Sequence, residues 1–80
     1  MVDYNDSSLV RKALIDELEA INYYEDFIQR LESPEARTLM AHISVEEKEH
    51  MAELAELLSR LDPAQAQKLD EELKRGLKER

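Results

Sequence analysis

Apolar residues recur at steps of three and four along the chain, the spacing that places side chains on one face of an α-helix. One series runs through Val10, Leu14, Ile21, Tyr24, Ile28 and Leu31, and a second through Ala36, Met40, Ile43, Leu54, Leu57 and Leu61. A shorter third series contains Ala66, Leu69, Leu73 and Leu77. The pattern predicts two long helices whose apolar stripes pack together, followed by a shorter helix.

Two prolines mark the boundaries between these helices. Ser33 and Asp62 each precede a proline, and both can cap a helix that begins with that proline. Ser7 or Ser8 is the corresponding candidate cap for the first helix. We therefore predict an all-α single domain over residues 1–80, an antiparallel two-helix hairpin plus a short C-terminal helix. Its parts are an arm over 1–7 and helices over 8–32, 34–61 and 63–78.

Three ionisable residues interrupt the two long apolar stripes. Glu17 lies in the middle of the first stripe, and Glu47 and His50 lie in the middle of the second. An ionised carboxylate between helices costs several kcal/mol unless it is paired or binds a metal. No lysine or arginine shares either stripe. One interpretation places these groups at the stripe edge, in contact with water; the coincidence of all three favours a metal site.

Composition limits the kinds of site and partner. The chain has 80 residues, no cysteine and a net charge of −8. Thiolate metal sites are therefore excluded, and the negative charge argues against binding to nucleic acid or to an anionic membrane. The N-terminal stretch has neither the basic region nor the apolar run of a signal peptide, so we expect a soluble cytoplasmic protein.

The three residues amount to half of a known kind of metal centre. Two-metal carboxylate sites in helical bundles take one Glu from each of two helices and a Glu-x-x-His pair from each of two others. One hairpin supplies Glu17 and the pair Glu47 and His50, so two copies would complete a four-helix bundle around two metals. Oxygen and nitrogen ligands without thiolate suit iron or manganese, with zinc or cobalt as competitors.

The stretches IDELEAINYYEDF (15–27) and SPEARTLMAHISVEEKEHMAELAELLSRLDP (33–63) closely resemble the encapsulated ferritins, rubrerythrin-related members of the ferritin-like superfamily. The resemblance implies that a dimer builds one di-iron ferroxidase centre and that dimers form an open ring, typically a homodecamer. It also implies that Glu17, Glu47 and His50 are iron ligands and that Tyr24 is an aromatic residue beside the centre.

The same resemblance implies two peripheral cation sites. Asp16 and Glu19, next to Tyr23, match acidic residues that attract iron on its way to the centre. A weaker surface site is matched by His42, Glu46 and Glu49. Each set also has a plain structural interpretation, because acidic residues on the wet face of a helix are usually only solvated.

The resemblance predicts a ferroxidase that oxidises Fe(II) with dioxygen or peroxide, two irons per dimer, in iron storage or detoxification. An open ring encloses no cavity, so storage would need a container of the encapsulin type. The C-terminal LDEELKRGLKER lacks the Gly/Ser- and Leu-containing tail that directs family members into such a shell, which leaves the route of packaging open. Alternatives are a rubrerythrin-like peroxide scavenger and, in a different class, a non-catalytic helical oligomerisation module.

Overall fold

The computed structural model describes residues 5–79, which form three helices and, within that range, no strand. Helix α1 spans Asp6–Arg30, α2 spans Pro34–Leu61 and α3 spans Pro63–Glu79. The predicted all-α hairpin with a shorter C-terminal helix is confirmed. Residues 1–4 of the predicted arm lie outside the described range.

Each helix begins at a side chain that accepts a backbone hydrogen bond. Ser33 accepts from the amide of Ala36 at 3.2 Å, and Asp62 accepts from the amide of Gln65 at 3.1 Å, so both predicted caps are confirmed. These bonds satisfy amides that have no partner within the helix itself.

The predicted start of the first helix was wrong. Asn5 is the cap, and its side-chain oxygen accepts from the amide of Ser8 at 2.9 Å. Ser8 therefore lies inside the first turn, as does Ser7, whose hydroxyl donates to the carbonyl of Leu61 at 3.3 Å. The helix ends at Arg30, earlier than predicted, because Leu31 has extended backbone angles and its amide closes the last turn on Phe27.

The hairpin is held by one face of α1 packed against one face of α2. The linker between them has three residues, 31–33, so the two helices run antiparallel. Ile21 of α1 and Leu58 of α2 are the buried apolar residues of the described chain, and Ser44 of α2 is a buried polar residue. Burial of one large aliphatic side chain contributes about 1.5–3 kcal/mol. A core of this size leaves a single chain marginal, as expected for so short a sequence.

Large apolar side chains remain on the surface of the single chain. Leu9, Ile15, Leu18 and Tyr23 of α1 are all exposed, and Phe27 is half-buried. On α2, Leu39 and Val45 are exposed as well. Contiguous exposed apolar surface usually marks an interface.

The backbone of α3 approaches that of α2 closely but does not approach that of α1 within residues 5–79. Its apolar residues Leu69, Leu73 and Leu77 are exposed. The described part of the chain is accordingly flat, with extents of 45 × 43 × 18 Å. None of the described helices is long and apolar enough to cross a membrane.

We expect the protein to assemble beyond a dimer, because one partner cannot cover apolar side chains that lie on several sides of α1. Mass photometry or native mass spectrometry at micromolar concentration, with Fe(II) present, would measure the assembly. A population that contains dimers and nothing larger would contradict this expectation.

Candidate metal centre

The three residues that interrupt the apolar stripes come together in the folded chain. The Nδ1 atom of His50 lies 3.9 Å from Oε2 of Glu17 and 3.8 Å from Oε1 of Glu47. One ligand atom from each residue lies within 4.8 Å of the other two. Within residues 5–79 this is the one group of three or more such side chains that converges in this way. We call these three residues the ligand cluster.

Helix geometry explains the convergence. Glu47 and His50 are three positions apart on α2, so their side chains lie one above the other on the same face. Glu17 faces them from α1, one turn before the buried residue Ile21. The register of the hairpin thus brings the two helices' polar interruptions to the same level.

The separations suit a metal ion. Two ligand atoms that each lie about 2.1 Å from one metal are separated by about 3–4 Å, depending on the angle between them. The two distances from His50 Nδ1 fall in that range. They are too long for direct hydrogen bonds. The donor set of two carboxylates and one imidazole therefore fits a cation placed between the three side chains.

The Glu17 carboxylate gives the clearest indication that the cluster has room for a binding partner. Its Oε2 atom is buried and has no hydrogen-bond partner among the described residues. The side chains of Glu17 and Glu47 are 25% and 20% exposed, so both carboxylates are largely withdrawn from water. A buried polar atom without a partner is uncommon in folded proteins and costs about 1–3 kcal/mol. A bound cation would supply the missing partner.

The electrostatics of the cluster lead to the same conclusion. The pKa of Glu17 is raised above its ordinary value of 4.5, first by the Glu47 carboxyl, with which a protonated Glu17 can share a hydrogen bond. Burial and the charge of Glu47 add to the rise, while His50 opposes it. The two neighbouring carboxylates thus resist being ionised together. A divalent cation between them would favour the ionised form of both.

The cluster opens on one side of the hairpin. His50 has a half-exposed side chain, at 51%, and it borders a surface groove together with Glu17. The same groove is lined by Glu53, Leu54 and Leu57 of α2. Glu53 was not among the site residues predicted from the sequence. It lies three positions after His50, the same step that separates His50 from Glu47.

Comparison with known proteins identifies the family of this chain. A sequence model of the EncFtn-like family matches residues 2–76. The chain belongs to the EncFtn-like family. The predicted resemblance to encapsulated ferritins is thereby confirmed.

Three characterised relatives of this EncFtn-like chain are named for encapsulins. It is 40% identical over 63 residues to the encapsulin nanocompartment cargo protein EncB of Myxococcus xanthus, and 38% identical over 66 residues to the cargo protein EncC of the same species. It is 39% identical over 71 residues to the ferritin-like-encapsulin shell fusion protein of Pyrococcus furiosus. These matches cover 79%, 82% and 89% of this chain but 40%, 51% and 19% of the relatives, so it spans about half their length or less.

Tyr24, predicted to lie beside the centre, is half-buried on α1. It lies seven positions after Glu17, two turns along the same face of the helix. Its ring packs edge-on against Phe27, with centroids 6.4 Å apart. The described contacts therefore show a packing role, and a role for Tyr24 at the centre stays a prediction.

Asp16 and Glu19, the first predicted peripheral set, have different surroundings on α1. Asp16 forms an ion pair with Lys12, four positions earlier on α1. Glu19 instead lines a shallow surface pocket with Tyr23 and Asp26. A cation-attracting role for Asp16 and Glu19 stays a prediction.

The second peripheral set forms one contact. His42 and Glu46 lie together on the exposed face of α2, with His42 Nε2 2.9 Å from Glu46 Oε1. Glu49 is also exposed, and these three side chains do not converge as the ligand cluster does. Metal binding by this set stays a prediction.

Replacing Glu17 with Gln should stabilise the metal-free protein at neutral pH. A carboxyl whose pKa is raised by folding binds more protons in the folded state, so the free energy of unfolding falls as pH rises from 4.5 through the raised value. The variant lacks this titration. The free-energy advantage of the variant, on the order of 1–4 kcal/mol at neutral pH, should shrink as the pH falls through the raised pKa and vanish below 4.5.

Denaturation of chelator-treated protein at several pH values would measure this difference. Glu32→Gln is a matched control, because it removes one exposed carboxylate from the linker between α1 and α2. Equal stability of Glu17→Gln and the parent at neutral pH would show that Glu17 is solvated.

Proposed function

We propose that this protein is a ferroxidase whose di-iron site is shared between two chains. The observation that carries the proposal is the ligand cluster: Glu17, Glu47 and His50 converge, and Glu17 Oε2 is buried without a hydrogen-bond partner among residues 5–79. Membership of the EncFtn-like family supports iron as the metal. The absence of cysteine leaves oxygen and nitrogen ligands, which suit iron.

A partner chain is proposed because three ligands on one hairpin make an incomplete site. The cluster borders an open groove, and the exposed His50 faces outward from the hairpin. A second copy related by a two-fold axis would bring a second set of the same three ligands. Four carboxylates and two divalent cations then sum to zero charge, which removes the penalty of burying either alone.

The proposed reaction uses Fe(II) as substrate. Two Fe(II) ions supply two electrons and the solvent supplies two protons, which reduce dioxygen to hydrogen peroxide, or hydrogen peroxide to two water molecules, and both ions are released as Fe(III). Glu47 is proposed as the carboxylate that bridges the two ions, Glu17 as a terminal carboxylate and His50 as a terminal nitrogen ligand. The six side chains of a dimer leave positions open for the oxidant, as a redox site requires.

We also propose that the protein works with an encapsulin-type shell and forms a ring of dimers, a homodecamer. Relatives named as encapsulin cargo and as a fusion to a shell protein support the first part. The exposed apolar residues of α1 support assembly of several copies. Such a shell would contain the iron that an open ring cannot hold.

Anaerobic Fe(II) titration followed by exposure to air tests the ferroxidase proposal. We expect two irons per dimer, equivalent to one per chain, and a rapid absorbance rise on oxidation. Glu17→Gln should bind less iron and lose the rapid phase, since each site would lose ligands, while Glu32→Gln should behave as the parent. The assembly mass would be recorded in parallel.

Two results would contradict this proposal. Two irons bound per chain with comparable affinity would exclude a site shared between chains. An unchanged oxidation rate in Glu17→Gln would exclude the ligand cluster as the centre. Failure of the parent to bind iron, with its assembly intact, would favour a helical oligomerisation module.

A further inference from the structure

A single residue joins the hairpin to α3. Helix α2 ends at Leu61 and α3 begins at Pro63, so Asp62 alone makes the change of direction, with φ −133° and ψ 80°. Its amide closes the end of α2 on the carbonyl of Leu58, and its carbonyl accepts from the amide of Ala66 in α3. A following proline restricts the preceding residue to extended angles but does not select one direction. Rotation at this residue would swing the whole of α3.

Apolar packing constrains that direction weakly. The first turns of α3 face the hairpin across a crevice lined by Leu14, Leu58 and Leu69 among others. Leu69 is nevertheless 59% exposed, and none of the described residues of α3 is buried. Few buried apolar contacts are typical of an element that moves easily. Polar contacts at the junction are therefore needed to define the angle between α3 and the hairpin.

Arg11 of α1 supplies hydrogen bonds to both sides of this junction. Its Nη2 donates to Oδ2 of Asp62 at 2.6 Å, and its Nε donates to Oε1 of Gln65, in the first turn of α3, at 2.9 Å. The guanidinium is rigid and planar, so two bonds from it define a direction as well as a distance. Asp62 meanwhile uses its other oxygen to accept from the amide of Gln65.

We propose that Arg11, Asp62 and Gln65 form a latch that fixes the direction of α3 relative to the hairpin. One carboxylate oxygen of Asp62 accepts the hydrogen bond that caps α3, and the other accepts the hydrogen bond from Arg11 of α1. The latch thereby determines where the leucine stripe of α3, Leu69 and Leu73, is presented. The inference concerns the junction alone and does not depend on metal binding.

The latch is expected to act on geometry more than on stability. The Arg11 side chain is 41% exposed and that of Asp62 is 23% exposed, and pairs near the surface usually contribute little to the free energy of unfolding. The amide of Gln65, first, and then Arg11 hold the pKa of Asp62 below its usual value, so the ion pair persists at neutral pH. Loss of Arg11 leaves the cap of α3 intact, because Gln65 still donates its amide.

Electron spin resonance distance measurements test the latch in the full chain. The sequence contains no cysteine, so Gln29→Cys on α1 and Lys78→Cys on α3 provide unique sites for spin labels. Both positions are exposed. Doubly labelled chains would be diluted into unlabelled chains before assembly, so that distances within one chain dominate. We expect one narrow distance distribution in the parent and a clearly broader distribution in Arg11→Met.

Arg30→Met is the matched control, because Arg30 lies on the same helix and pairs with Asp26 within it. It should keep the narrow distribution. Gln65→Met removes one of the two latch bonds and should broaden the distribution less than Arg11→Met. A distribution in Arg11→Met as narrow as that of the parent would overturn the proposal. Should Arg11→Met lose its helical circular dichroism, a narrow distribution in Gln65→Met would overturn it instead.

Discussion

The mutual repulsion of two carboxylates inside a helix contact is the constraint on which the rest of the structure depends. Glu17 and Glu47 lie on the faces that α1 and α2 turn toward each other, and Glu17 Oε2 has no partner there among the described residues. An apolar pair at those positions would stabilise the hairpin better. The hairpin therefore gives up stability at this level, and the proposed divalent cation would restore it by neutralising the two carboxylates.

The small core makes that loss more consequential. With Ile21 and Leu58 as its buried apolar residues, the described chain has little free energy of unfolding in reserve. A ligand or partner that binds the folded form adds to this reserve in proportion to the logarithm of its concentration over its dissociation constant. Under the proposed function, metal binding, pairing of chains and folding would therefore be linked, and a change in one would shift the others.

Local spacing predicted the parts of the fold that depend on neighbours in sequence. Steps of three and four placed Glu17, Glu47 and His50 on the inner faces, and the residues before the prolines identified two caps. The start of α1 was missed because Ser7, Ser8 and Asn5 are all good caps, and a choice among them depends on tertiary contacts. The contact of Arg11 with Asp62 joins positions 51 apart, a distance that no periodicity encodes. The exposure of His50 likewise depends on how the hairpin is rotated, which spacing alone does not determine.

The open groove beside His50 bears on how the number of complete metal centres would depend on the concentration of the protein. If each chain carries half of the centre, the number of complete centres at low protein concentration varies with the square of the chain concentration. Halving expression would then remove about three quarters of the capacity in that regime, by mass action. Confinement of many chains in a small volume would have the opposite effect and complete centres that dilute chains could not form. Enclosure and chemistry would thus be coupled without any contact between a container and the centre itself.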